Sequence, residues 1–256
     1  MSSEISFKNI NKLAIPAIIA GIAEPLISLT DIAVIGNVEK NSVEALAAAG
    51  IVGSFLSAII WIVAQTKTAI SAIVSQHLGA NRIHAVKTLI PQAIYFNFAF
   101  SLVIYATTAF FAESIFSAYN AEGLILQYSE DYYQIRALGY PLTLVTFAIF
   151  GVFRGLQNTL WAMKCSLAGA AVNVGLDFLL VYGIDGLIPA MHLKGAAYAS
   201  LAAQGTMLVM ALWFFFNKTP FHLKLSLNIN PRLKGLLLMA ANLFVRTAAL
   251  NFAIYL

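Results

Sequence analysis

The chain is poor in the residues from which most enzymes are built. Of its 256 residues only 11 are Asp or Glu and 15 Lys or Arg, and there is one cysteine, Cys165. A single cysteine excludes an intrachain disulfide, a thiol redox pair and a cysteine-built metal centre. Cys165 reads as a small packing residue. There is no glycine-rich phosphate loop, no Gly-x-Ser-x-Gly turn and no His-Glu-x-x-His zinc motif. The histidines, His77, His84, His192 and His222, lie in or beside loops, and none has metal-ligand spacing with another. Neither an enzyme nor a resident cofactor is expected. Low-complexity segments are lacking as well, and no stretch has the composition of a soluble domain.

What is present in their place is apolar. Hydrophobic residues make up 60% of the chain and its mean hydropathy is +0.82, far above an ordinary soluble domain. This composition predicts an all-α, polytopic membrane protein. Runs of spanning length fall at about Leu13–Ile35, Leu46–Gln76, Ala85–Phe111, Tyr133–Phe153, Met163–Tyr182 and Gly195–Phe216, with a seventh from about Leu233. The second exceeds the ~20 residues a bilayer needs, so it is expected to be tilted, broken or partly outside the membrane. The first imitates a signal peptide, but its apolar stretch continues through Glu24, Pro25 and Asp31, beyond a signal core. It is therefore kept as a helix. Residues 1–216 are expected to form a six-helix bundle and 217–232, with Pro220 and Pro231, a cytoplasmic linker. Residues 233–256 then start a seventh helix that is still apolar at Leu256, so the chain is expected to be a piece of a longer protein.

The net charge of +4 does not signal nucleic acid, because the basic residues occupy short segments between the runs. With the N-terminus inside, the inner segments hold Lys8, Lys12, Arg82, Lys87, Arg154, Lys164, Lys218, Lys224, Arg232 and Lys234. The outer ones hold Lys40, Arg136 and Lys194. This asymmetry predicts a cytoplasmic N-terminus. The charges left for the membrane are Glu24, Asp31, Lys67, Asp177 and, in the seventh run, Arg246.

Carboxylates at membrane depth are candidate functional groups. At ~1.5 Å rise per residue, Asp31 lies ~27 Å and Asp177 ~21 Å from the inner ends of their helices, both in the outer half. Their helices run the same way, so the two acids can face one cavity, where both cannot comfortably stay ionised. That is the equipment of a proton or sodium site. Asn173 precedes Asp177 by one turn on the same face; Ser28 shares a face with Glu24 and Asp31. The structural alternative is a buried polar network that holds helices together. Glu24 and Lys67, at similar depths, are expected to pair as ions. Pro25 is a candidate hinge between Glu24 and Asp31, with a static kink as the alternative. Gly195, Ala199 and Ala203 form a small-residue ridge suited to close helix contact, beside which Ser200 could reach the cavity.

The stretches PAIIAGIAEPLISLTDIAVIGN, ALAAAGI, SAIVSQHLGANR, FRGLQNT, NVGLDFLLVYG and LKGAAYAS, in this order, resemble the N-terminal half of a MATE (multidrug and toxic compound extrusion) transporter of the DinF-like branch. The resemblance implies a fold of two six-helix lobes and export of organic solutes or drugs, cationic ones among them, in exchange for H+ or Na+. It implies that Asp31, Asn173 and Asp177 form the cation site, with Na+ as one candidate occupant. Ser200 stands where relatives commonly carry a threonine, and Tyr140 corresponds to an aromatic residue near the cavity. Ala162 replaces a proline frequent after FRGLQNT. Expected partners are membrane lipids, a small organic solute, and a C-terminal lobe or second copy to complete the path, in a bacterial inner membrane. Two alternatives stay open: a flippase of lipid-linked oligosaccharides, whose cavity would be more basic, and a half-length membrane subunit that does not transport.

Overall fold

The computed structural model describes residues 7–38, 41–224 and 228–255, with the side chains of Glu24 and of residues 250–255 excepted. Its elements follow the apolar runs. Helix α1, Phe7–Gly36, contains Pro16 and Pro25. Pro25 has no N–H for the Gly21 carbonyl, which leaves one backbone acceptor free within the helix. The overlong second run is α2, Ser42–Val63, and α3, Gln65–Gly79, interrupted only at Ala64. At that break the Thr66 hydroxyl lies 2.7 Å from the Val63 carbonyl and 2.9 Å from Asn97 Oδ1. A 3₁₀ turn, Ile83–Val86, leads into α4, Leu89–Phe110, and the short α5, Ala112–Ala118. The fourth run is a bent pair, α6 (Gly123–Ala137) and α7 (Gly139–Gly155), which meet at 43° around Leu138. Then come α8, Leu160–Tyr182, α9, His192–Lys218, and α10, Arg232–Tyr255.

Among the described residues five spans are long and apolar enough to cross a membrane, or six if the bent pair is one span. There are no strands among them beyond an isolated bridge, Ile184 to Ile188. The chain is thus an all-α, multi-pass membrane protein.

Packing places two apolar cores at the two ends of the bundle. One gathers Ile70, Val74, Ile90, Ile149, Phe153 and Phe215; the other gathers Ile35, Val52, Phe116, Tyr133, Tyr140 and Leu144. Helix α7 crosses both and packs on α3, α4 and α9, while α8 lies between α1 and α9. Small residues set how closely these helices approach. A Cβ at Gly151 would stand 2.6 Å from the Lys67 carbonyl oxygen, and one at Gly155 would stand 2.5 Å from Val74 Cβ. The α3–α7 contact is therefore backbone-close, as small residues permit in membranes.

The stretch 217–232, which composition marks as a linker, is tied to the bundle through its described residues. Gln92, buried at the start of α4, donates from Nε2 to the Asn228 carbonyl at 2.7 Å and accepts at Oε1 from the Asn230 N–H at 2.8 Å. Asn230 Nδ2 donates to Thr88 Oγ1, Arg232 Nη1 donates to the Ala85 carbonyl, and Phe221 is fully buried. Gln92→Leu removes both of the Gln92 hydrogen bonds, about 0.5–1.5 kcal/mol each. Faster amide exchange over residues 228–232 is the expected result, and unchanged exchange would show that the clamp is dispensable.

Candidate cation site and cavity

The buried stripe of α8 is Cys165 and Ser166, then Gly169, Asn173, Asp177 and Val181 at steps of three or four residues. That spacing puts them on one face, and the face meets α1 and α9. Asp177 and Asn173 are 0% exposed, Ser200 3% and Asp31 8%. Asn173 Nδ2 donates to Ser200 Oγ at 3.4 Å, and Ser200 Oγ donates to Asp31 Oδ2 at 3.3 Å. Both bonds are long for their types. The Asp31 and Asp177 carboxyls are neighbours close enough to feel each other's charge. Without a proton the pair has only acceptors: Asp31 Oδ1, Asn173 Oδ1 and both Asp177 oxygens have no hydrogen-bond partner among the described residues. Such orphaned buried oxygens are costly unless a proton or cation joins them.

No group of three or more His, Cys, Asp or Glu suited to a metal ion occurs among the described residues. A cation here would rest on a mixed set of two carboxylates, one amide oxygen and one hydroxyl.

Beside this cluster lies a cavity of about 1050 Å³, lined by α1, α2, α7 and parts of α3, α6, α8 and α9. Asp31 and Ser200 line it, whereas Asn173 and Asp177 sit behind them in the wall. Much of the lining is apolar, including Ile18, Ile60, Trp61 and Phe150.

Its family can now be read. A family model described as MatE matches residues 16–179. The chain belongs to the MatE family. It is 27% identical over 211 residues to a probable multidrug resistance protein NorM of Haemophilus ducreyi, covering 82% of this chain and 44% of that protein. It is also 27% identical over 202 residues to the DNA damage-inducible protein F of Escherichia coli, covering 78% of this chain and 42% of that one. The chain thus spans about half the length of these curated relatives. A crystal structure of MATE in the bent conformation matches 97% of this chain and 55% of its own with a TM-score of 0.86 at 20% identity, a likeness of fold.

Against the sequence-derived expectations, the MatE fold brings Asp31, Asn173, Asp177 and Ser200 into one cluster and puts Pro25 in the cavity wall. Tyr140, expected near the cavity, is packed in the end core, 1% exposed, with its hydroxyl 3.4 Å from that of Tyr133. Lys67 lines the cavity with Nζ 4.7 Å from the centre of the Phe147 ring. The Glu24 side chain of its expected ion pair lies outside the described residues.

Three lining residues were not singled out in the sequence: Arg136, Thr143 and Gln204. Arg136 has the look of an outer-loop residue, two positions before the bend at Leu138. The periodic series Tyr132, Arg136, Thr143, Phe147, Phe150, Arg154 carries one face through that bend, and Gln204 follows Ser200 by one turn. Those spacings are the signal that could have found them.

Proposed function

We propose that this chain forms the cation-coupling half of a secondary antiporter that moves organic solutes across a membrane in exchange for H+ or Na+. The observation that supports it is the Asp31–Asp177 pair, two carboxyl groups side by side under near-complete burial, of whose four oxygens three have no donor, beside an Asn173 oxygen that has none either. A group of this kind changes its interactions most when a cation arrives. Ser200 links the acid on α1 to Asn173 on α8, so occupation of the site alters how these helices meet.

In the proposed cycle, a proton or sodium ion bound by Asp31, Asn173, Asp177 and Ser200 draws α1 toward α8. The segment of α1 beyond Pro25 carries Asp31 and also lines the cavity, so the same movement changes the solute's surroundings. Coupling requires only that the cation and the solute favour different arrangements of the bundle. No cofactor other than the coupling ion takes part. Residues 1–216 act as one lobe and 217–232 as its linker, and 233–256 begin a second lobe; that lobe or another copy of the chain completes the path. The basic-residue asymmetry supports a cytoplasmic N-terminus.

Transport by the full-length gene product in proteoliposomes tests this reading. Solute movement driven by an imposed pH or sodium gradient is expected, and whichever gradient drives it identifies the ion. Asp31→Asn is expected to lower gradient-driven transport about tenfold or more, because the remaining acid loses its partner. Full rate with unchanged ion dependence would overturn the reading.

A further inference from the structure

We propose that the solute of this cavity carries an anionic head group on an apolar body, and that Arg136 receives the head group with Thr143 and Gln204 beside it. The inference rests on the transport reading only in taking the cavity as the solute's path. The charges of the lining carry it. Among the described residues Lys67, Arg136 and Arg154 line the cavity against one carboxylate, Asp31. A carboxylate from Glu24, whose side chain is not described, would still leave three cations to two anions. Asp31 is moreover engaged by Ser200 in the cation cluster.

Arg136 is the most specific of the three. Its guanidinium Cζ stands 5.8 Å from the centre of the Tyr132 ring, a cation–π distance that holds the side chain in place. Its Nε is buried and has no hydrogen-bond partner, and it forms no ion pair within 4 Å among the described residues, where Lys194–Asp131 is the ion pair found. Thr143 Oγ1 and Gln204 Oε1, in the same lining, are also buried and unpartnered. Gln204 reaches across Gly139, three residues after Arg136, where a Cβ would collide with its amide. A guanidinium and a hydroxyl left unsatisfied along one wall are donors for a carboxylate or phosphate, with the guanidinium fork able to bind it bidentately, while the Gln204 oxygen beside them accepts from a donor on the same solute.

The three cations are also spread along the path. Arg136 precedes α7, Phe147 holds Lys67 near its middle, and Arg154 ends it, 18 residues and ~27 Å from Arg136 at helical rise. An anionic group thus meets an arginine near each end of α7. A cationic solute meets like charge at each of them.

Two dyes with a common xanthene core but opposite charge test the proposal: fluorescein, an anion, and rhodamine 6G, a cation. Their binding to the purified full-length protein is measured by fluorescence anisotropy. Fluorescein is expected to bind at least about tenfold more tightly, the scale of one charge-assisted contact. Arg136→Gln should remove that preference and leave rhodamine 6G binding unchanged or tighter. Arg136→Lys, which keeps the charge but loses the fork, should keep part of it, and serves alone if Arg136→Gln does not purify folded. Tighter binding of rhodamine 6G by the unmodified protein, or fluorescein binding indifferent to both variants, would overturn the proposal.

Nanodiscs distinguish the sources of the anion. Displacement of fluorescein by phosphatidylglycerol but not phosphatidylcholine assigns the head group to a lipid, and no displacement by either assigns it to a soluble solute. Loss of ion coupling with the fluorescein preference intact sinks the antiport reading alone, and the converse sinks this one alone.

Discussion

Asp177→Asn is expected to abolish ion-driven transport while making the folded protein more stable. Asp177 is completely buried, and neither of its oxygens has a donor among the described residues. Burying an ionised carboxylate without donors costs several kcal/mol, a penalty that a proton or a cation at the site would relieve. An asparagine keeps the shape and adds an amide N–H₂ beside Asp31, whose Oδ1 is also unpartnered. One acceptor–acceptor contact becomes a hydrogen bond to a carboxylate, about 1.5–3 kcal/mol in favour of the fold. The variant should therefore melt at higher temperature in detergent, with a flatter dependence on pH. Its gradient-driven transport should fall by at least about 100-fold, more than for Asp31→Asn, because Asp31 retains Ser200 as a donor to the site whereas Asp177 has none. Lowered stability together with full transport would mean that Asp177 is a structural acid.

Gly195→Val is expected to damage the fold and the site together. Helices α8 and α9 share the most extensive helix contact in the chain, and Gly195 lies in the first turns of α9 against the end of α8. A Cβ there would stand 2.6 Å from the Leu180 carbonyl carbon and oxygen and 2.9 Å from the Val181 nitrogen. These are backbone atoms, which cannot rotate aside, so the helices must separate. Overpacking of this kind costs about 1–3 kcal/mol, occasionally more. The separation is transmitted to the site, because Asn173 and Asp177 are on α8 and Ser200 is on α9, joined by a bond already 3.4 Å long. A lower melting temperature and reduced transport should therefore appear together. A variant of normal stability would show that the helices can slide without penalty.

Both predictions concern residues whose positions were legible for different reasons. Asp177 stands out because a carboxylate within an apolar run is costly in lipid, and its one-turn spacing from Asn173 requires no tertiary knowledge. Gly195 was readable as part of a small-residue ridge, but which backbone it touches was not. Tyr140 shows the limit of resemblance: an aromatic residue at the expected position, the second residue of α7 just past the bend at Leu138, is packed into the end core against Tyr133. Arg136 shows the limit of topology counting. A basic residue near a helix end is normally assigned to water, but at the end of α6 Arg136 lines the cavity.

The amino-acid order by itself determined that the chain is a bundle of membrane helices and roughly where its apolar runs fall, and it placed Asp31 and Asp177 at comparable depth. Those properties follow from local hydropathy and helical rise, which are sums over neighbours in the chain. Only the tertiary structure decided that Ser200 stands between the two helices that bear them, that residues 228–232 are clamped by Gln92, and that the cavity is lined by more cations than carboxylates. Each of these depends on the rotation and bend of one helix against another. That relation is set by side-chain packing between residues far apart in the chain, and helical spacing shows which residues share a face but not which helix that face meets.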